Sequence, residues 1–232
     1  MTCPTSEFEF FPRRGFAETL LLVPGWATDH RIFRPLDLEF NYLAAVSFSP
    51  RDFQESLLSA LRRHRLDRVA VLGWSLGGYL ALEFARAHPE RVMEGALFAI
   101  GMRERYDAEV IEGIKARLAR NKAAYLRRFY EACFSPGERE ARDWFERELL
   151  QSYLDQMELE TLLAGLDYLV SASPADAKAR FIHGREDRIA PVGEMLAMKE
   201  RLPGMRLVCM ESAGHAAFLN PEFKKVFHAL LG

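Results

Sequence analysis

Val69-Ala70-Val71-Leu72-Gly73-Trp74-Ser75-Leu76-Gly77-Gly78-Tyr79-Leu80-Ala81-Leu82-Glu83-Phe84-Ala85-Arg86-Ala87 is the stretch on which the fold turns. Its opening apolar run, with Arg68 before it, reads as a short buried strand, Arg68–Leu72. Apolar residues at helical spacing then run from Leu76 to Ala87 and stop at His88-Pro89, where a proline ends the helix. Between the two lies Gly73-x-Ser75-x-Gly77. Short patterns of this kind recur by chance, but a strand leading in and a helix leading out make this one specific. The implied turn strains the serine backbone and tolerates only small neighbours. Gly73 and Gly77 leave that room, and Gly78 lets helix and strand approach closely. Such a turn exposes Ser75 Oγ as a nucleophile and aims the N–H of Leu76 at the same point as an oxyanion donor. The plainer alternative is a serine capping a helix in a glycine-rich turn; the flanking strand and helix favour the nucleophile.

Working outward, short apolar runs alternate with helical patterns, the rhythm of a mostly parallel sheet covered by helices. Strands are expected at Thr19–Val23, Leu43–Phe48, Val92–Ile100, Ala179–His183 and Arg206–Met210. Helices are expected at Phe53–His64, from near Pro191, and over Pro221–Leu231. From Arg103 to Ser173 the rhythm breaks, and the stretch holds four amphipathic helical patterns: Ala108–Asn121, Ala123–Cys133, Glu138–Leu150 and Gln156–Val170. The expected organisation is an α/β core of residues 1–102 and 174–232 with a helical lid, residues 103–173, inserted over the carboxyl ends of the strands.

The strand–Gly73-Trp74-Ser75-Leu76-Gly77–helix unit within this rhythm resembles the α/β-hydrolase fold. That resemblance implies the chain order serine, acid, histidine. Of six histidines, only His215 and His228 lie downstream of a suitable acid. His228 sits inside the last helical pattern. His215 follows Ser212-Ala213-Gly214 at the carboxyl end of a strand, where catalytic loops gather, and is the expected base. Asp187, in His183-Gly184-Arg185-Glu186-Asp187 after the preceding strand, is the expected acid that holds the imidazole tautomer. Asp107 is its rival, because it follows an earlier strand, and a helix-capping role is the alternative for Asp187 itself. The second oxyanion donor should come from the loop after an early strand, which points to the N–H of Trp26 in Pro24-Gly25-Trp26. Trp26, Trp74 and Phe129 are candidates for an apolar substrate wall, although aromatics at helical spacing are more often core.

Composition sets outer bounds. The chain has 232 residues, of which 31 are Lys or Arg and 33 Asp or Glu, for a formal net charge of −2. That balance gives no global case for nucleic acid or a membrane surface. Cys3, Cys133 and Cys209 are sparse and odd in number, which argues against a disulfide framework or a structural zinc site. The first sixteen residues lack the pattern of a secretory signal, and no apolar run is long enough to span a membrane. A cytoplasmic protein with reduced cysteines is expected. No metal or cofactor motif is present: there is no HExxH, no Cys/His cluster and no dinucleotide fingerprint.

The block Gly73–Gly78, the Pro24-Gly25-Trp26 turn and Gly214-His215-Ala216-Ala217-Phe218 resemble one group of α/β-hydrolases, the pimeloyl-acyl-carrier-protein methyl ester esterases of biotin synthesis. The resemblance implies nucleophile, acid and base at Ser75, Asp187 and His215, oxyanion amides at Trp26 and Leu76, and an acyl ester carried on an acyl-carrier protein. The chain departs from the group at Pro24, where a His-Gly-Trp-Gly turn is usual, and in lacking a Gly-rich loop after the second strand. Arg117, Arg120, Arg127 and Arg128 fall between Glu112 and Glu131 with no acid among them, which suits an acidic carrier docking on the lid; a solvated helix face is the plainer reading. A general carboxylesterase or thioesterase without a carrier would use the same triad. A carbon–carbon lyase of the same fold would carry arginine where Tyr79 stands, and an inactive binding module would not need the full set.

Overall fold

The apolar runs pair into one seven-stranded sheet in the order β1-β3-β2-β4-β5-β6-β7. The strands are β1 Glu7–Phe11, β2 Thr19–Val23, β3 Asn41–Ser47, β4 Val69–Trp74, β5 Val92–Ile100, β6 Arg180–Gly184 and β7 Arg206–Met210. The computed structural model describes residues 6–13, 15–174, 178–202 and 204–231; Cys3 lies outside them, and Cys133 and Cys209 are free thiols. β2 and β4 are buried along their whole length. This explains why they read as continuous apolar runs rather than alternating ones.

β1 is the element that the expected strand set lacks. It pairs antiparallel with β3 at the sheet edge, while every other pairing is parallel. Its Glu-Phe-Glu-Phe-Phe alternation is that of an edge strand with one face on the core: Phe8 packs edge-on against Phe53, with ring centroids 5.6 Å apart. Elsewhere the strand and helix ends fall within two residues of the expected ones, except in the 103–173 segment.

Helices α1 Phe53–Arg63, α2 Leu76–Ala87, α8 Val192–Arg201 and α9 Phe223–Leu231 accompany the sheet. α2 packs on β2, β4 and β5. The segment between β5 and β6 carries α3 Ala108–Arg120, α4 Lys122–Ala132, α5 Arg139–Phe145, α6 Gln151–Gln156 and α7 Leu159–Ser171. Helical structure is continuous from α5 to α6 through a π-helical turn at Glu146–Leu150. The expected breaks there, at 150 and 156, are therefore shifted: the helix ends at Gln156, and α7 begins three residues later.

This helical segment is tied to the loops above the sheet. Tyr130 Oη donates to the Ala27 carbonyl at 2.5 Å, and Trp26 Nε1 donates to the Leu162 carbonyl at 2.8 Å. Arg31 Nη1 donates to Ser152 Oγ at 2.9 Å. Tyr130, Phe145 and Tyr153 form an aromatic cluster beneath α4–α6. No helix among the described residues is long and apolar enough to cross a membrane.

Candidate active site

The sheet order places β3 on one side of β2 and β4 on the other, so the winding reverses at β2/β4. Ligands bind outside the carboxyl ends of strands at such a reversal. The loop after β2 carries Pro24-Gly25-Trp26, and Ser75 follows β4.

Ser75 has φ 52° and ψ −120°, a left-handed conformation that strains any residue with a Cβ. Its amide donates to the Ile100 carbonyl at 2.8 Å, and its own carbonyl accepts from Gly78 N at 2.8 Å. The turn is held by lack of space. A Cβ on Gly77 would lie 2.3 Å from the Val23 carbonyl oxygen, and one on Gly73 would lie 2.6 Å from that of Gly77. Gly25 is also tight, with a Cβ position 2.9 Å from the Trp74 ring and 3.3 Å from Ser75 Cβ. Thr28 Oγ1 closes the turn by donating to the Gly25 carbonyl at 2.9 Å. Among the described residues, neither the Trp26 nor the Leu76 amide donates a hydrogen bond within the protein. The Leu76 amide is free because it opens α2.

His215 is fully buried, and its Nδ1 lies 2.8 Å from Asp187 Oδ2. Asp187 Oδ1 accepts from the amides of Ile189 and Ala190, each at 2.8 Å. Both oxygens are thus engaged, one by the imidazole and one by the loop's own amides; the carboxylate does not cap α8, whose cap position is Pro191. Burial pushes this carboxyl upward, but the charge and hydrogen bond of His215, together with His183 and the Ala190 amide, outweigh it and hold the group below its ordinary value. Asp107 does something else: it caps α3, accepting from Glu109 N at 2.7 Å.

The imidazole is seated from below. Gly101, at φ +64°, leaves room for the ring, since a Cβ there would lie 2.9 Å from His215 Nδ1. Trp74 Nε1 donates to the His215 carbonyl at 2.9 Å, and the two rings lie 5.5 Å apart. Nε2 of His215 is buried without a hydrogen-bond partner among the described residues. An unpartnered buried ring nitrogen next to the serine turn is a free proton acceptor.

Three neighbours were given no place in the site by the sequence, where His183 reads as a structural strand-end histidine. His183 is buried, with Nε2 2.6 Å from the Ala190 carbonyl and 3.4 Å from Asp187 Oδ2; burial lowers its pKa, so it stays neutral. Tyr106 is buried, and burial pushes its phenol up to about 12, with a hydrogen bond from Ser75 pulling the other way. Glu138 accepts from the amides of Ser135 and Gly214, at 2.8 and 2.9 Å, joining the helical segment to the His215 loop. A strand-end histidine, a loop tyrosine and a glutamate in a Ser-Pro-Gly-Glu turn carry no local pattern that marks these contacts. Tyr79 is likewise buried, donating to the Arg103 carbonyl at 2.7 Å.

A cavity of about 290 Å³ is lined by Trp26, Leu76, Phe48, Met157 and Leu162 among others. Trp26 is the one member of the expected substrate wall that lines it. Trp74 is only 2% exposed and supports His215 instead. Phe129 packs edge-on against the Trp26 ring, with centroids 4.9 Å apart, so it backs the wall without facing the cavity. Of the cations on α3 and α4, Lys115 pairs with Glu112 and Asp167, and Arg117 Nε donates to the Gly113 carbonyl. Arg120, Arg127 and Arg128 are exposed and form no ion pair among the described residues. No group of three or more His, Cys, Asp or Glu side chains among the described residues is placed to hold a metal ion.

The chain matches the alpha/beta hydrolase family over residues 20–223. It is 34% identical over 185 residues to the pimeloyl-[acyl-carrier protein] methyl ester esterase of Nitrosomonas europaea, covering 70% of this chain and 71% of that protein. It is 31% identical over 192 residues to the enzyme of the same name from Aromatoleum aromaticum, covering 72% and 75%. Among solved structures, an esterase from Exiguobacterium antarcticum superposes with a TM-score of 0.76 at 18% identity, covering 97% of this chain and 94% of that one. At that identity the superposition speaks for the fold alone. The sheet, the strained serine turn and the family match converge: the chain belongs to the alpha/beta hydrolase family.

Proposed function

We propose that this chain hydrolyses the methyl ester of a pimeloyl chain carried on an acyl-carrier protein, through an acyl-enzyme on Ser75. That it is a hydrolase acting on ester bonds follows from its family and its esterase relatives. The finer reading rests on the relatives' shared name and on one observation above all: a strained serine beside a buried His215 whose Nδ1 is held by Asp187 and whose Nε2 is unpartnered.

In this mechanism Nε2 of His215 takes the Ser75 proton as Oγ bonds to the carbonyl carbon. The oxyanion accepts hydrogen bonds from the Trp26 and Leu76 amides, preorganised by the Gly25 and Gly77 contacts. His215 returns the proton to the departing methanol. Water, deprotonated by the same nitrogen, then releases the acid and regenerates Ser75. Asp187 remains a carboxylate throughout, orienting the ring and stabilising the imidazolium.

Helices α3–α7 act as a lid, and Arg117, Arg120, Arg127 and Arg128 as the face that meets the carrier. The exposed, unpaired Arg120, Arg127 and Arg128 support this, because an acidic partner is steered by cations not already neutralised. A cytoplasmic location accompanies a carrier-bound substrate. The test compares kcat/KM for the carrier-bound methyl ester and for free dimethyl pimelate, with Ser75→Ala as control. A strong carrier preference, abolished in Ser75→Ala, is the expected result. Turnover of both at equal efficiency would discard the carrier and leave a general carboxylesterase.

A further inference from the structure

The cavity lined by Trp26 and Leu76 has a floor, walls and a rim of different character. The floor is Trp26 and Leu76, 6% and 1% exposed. Gly165 lets α7 lie directly on both: a Cβ there would be 2.8 Å from Trp26 Cδ1 and 3.1 Å from Leu76 Cδ1. Phe48 and Pro50 form one apolar wall and Leu162 the other, while Glu158 and Thr161 stand exposed at the rim.

The charge of the lining is one-sided. Asp29 and Glu158 belong to it, and no lysine, arginine or histidine does. Asp29 is met by Arg31, whose Nε lies 3.0 and 2.9 Å from its two oxygens. Lys122 also reaches this corner, its Nζ donating to the Met157 carbonyl at 2.7 Å, but it does not line the cavity. Glu158 has no ion pair or hydrogen bond from its side chain among the described residues, and it occupies the N-terminal cap position of α7, beside Glu160 in the first turn. A carboxylate arriving at this rim would shed water against a like charge, with no cation in the lining itself.

We propose that Glu158 is a specificity-determining residue: the cavity holds the carbon chain of the ester, and Glu158 at its rim rejects substrates whose remote end is a free carboxylate. This rests on the esterase reading of Ser75 and adds a charge filter to it. A remote thioester or second ester is neutral and passes; a half-ester is anionic and does not. The occupant is therefore a linear acyl chain with a masked far end.

The probes are the dimethyl and monomethyl esters of heptanedioic acid, with p-nitrophenyl acetate as a short ester that does not extend to the rim. The wild-type chain should favour the diester in kcat/KM, beyond the factor expected from its two equivalent ester groups. Glu158→Lys should raise the half-ester relative to the diester by about threefold at low salt, fading at high salt. Ala164→Phe, which fills the cavity from α7, should depress the diester several-fold more than p-nitrophenyl acetate; thermal melts of both variants establish folding. Equal kcat/KM for diester and half-ester, or a ratio that Glu158→Lys leaves unmoved, would overturn the filter. Failure of the wild-type chain to turn over p-nitrophenyl acetate would instead overturn the esterase reading, and the filter with it.

Discussion

Replacing Glu138 with alanine removes a buried carboxylate that bolts the helical segment to the loop carrying His215. Its Oε2 accepts from Ser135 N at 2.8 Å and Gly214 N at 2.9 Å, and its Oε1 from Asn220 Nδ2 at 3.4 Å. Around it, Ser135 Oγ donates to the Ser212 carbonyl at 2.8 Å, and Ala216 N donates to that of Cys133 at 3.2 Å. There is no slack: a Cβ on Gly214 would lie 2.6 Å from the Cys133 carbonyl oxygen. The side chain is buried, so water cannot replace it without rearrangement. Two short bonds to a charged acceptor, at roughly 1.5–3 kcal/mol each, put the cost of Glu138→Ala at about 3–6 kcal/mol. That is a large share of the roughly 5–15 kcal/mol that holds a domain together. Glu138→Gln can keep both amide bonds on its carbonyl oxygen and turns its NH2 only toward Asn220 Nδ2, so it loses the charge but not the two short bonds, and well under half the loss is expected. Urea unfolding measures both variants. Because Gly214 precedes His215, Glu138→Gln should also lower kcat more than it raises KM on a small ester. An alanine variant within about 0.5 kcal/mol of wild type would refute the account of this junction.

Gly77→Ala forces a methyl to within 2.3 Å of a backbone oxygen that cannot rotate away. The expected result is loss of activity with a clear fall in Tm, beyond the roughly 1–3 kcal/mol of ordinary overpacking. Stability should also fall on acidification. His183 has a lowered pKa in the folded state, so the unfolded chain binds its proton first, and stability is lost as pH drops below 6.5. Asp187, also lowered, contributes stability that is present above its ordinary value of 3.8 and lost as pH falls through its folded value. Chemical denaturation across pH 4–8 should show the decline beginning on the histidine side, and His183→Gln should flatten it. Reversing charge at Arg127 and Arg128 together should cut kcat/KM on a carrier-bound ester by about tenfold at low salt, the gap closing as salt rises. A gap that salt does not affect would remove the electrostatic role from this face.

The serine turn was legible because strand, glycine spacing and helix occur within about twenty consecutive residues, and local signals suffice when all the parts are local. The parallel strands were legible for a similar reason: burial on both faces writes itself as an apolar run, as in Leu20–Val23. β1 was not, since its alternating Glu and Phe residues mark an edge strand only once β3 is known to lie beside it. The same limit applies to the site. Order along the chain led to the expectation that Asp187 and His215 work together, and the two side chains do pair, whereas His183, Tyr106 and Glu138 act through contacts between distant segments. Glu138, for instance, meets Gly214 across 76 positions. Trp74 shows the converse error, in which residue type suggested a substrate wall and packing made it the support of the histidine carbonyl. Capping also deceives: Asp107 and Asp187 both sit in loops before helices, and only the folded structure shows that the first caps its helix while the second holds an imidazole and leaves α8 without a side-chain cap.

The central claim, that Ser75 is the nucleophile and His215 its base, is tested most directly by reaction with a fluorophosphonate followed by intact-protein and peptide mass analysis. One adduct per chain, located on Ser75, absent from Ser75→Ala and formed far more slowly by His215→Ala, is the predicted result. A folded wild-type chain that takes no adduct at Ser75, or one that His215→Ala labels at the wild-type rate, would contradict it.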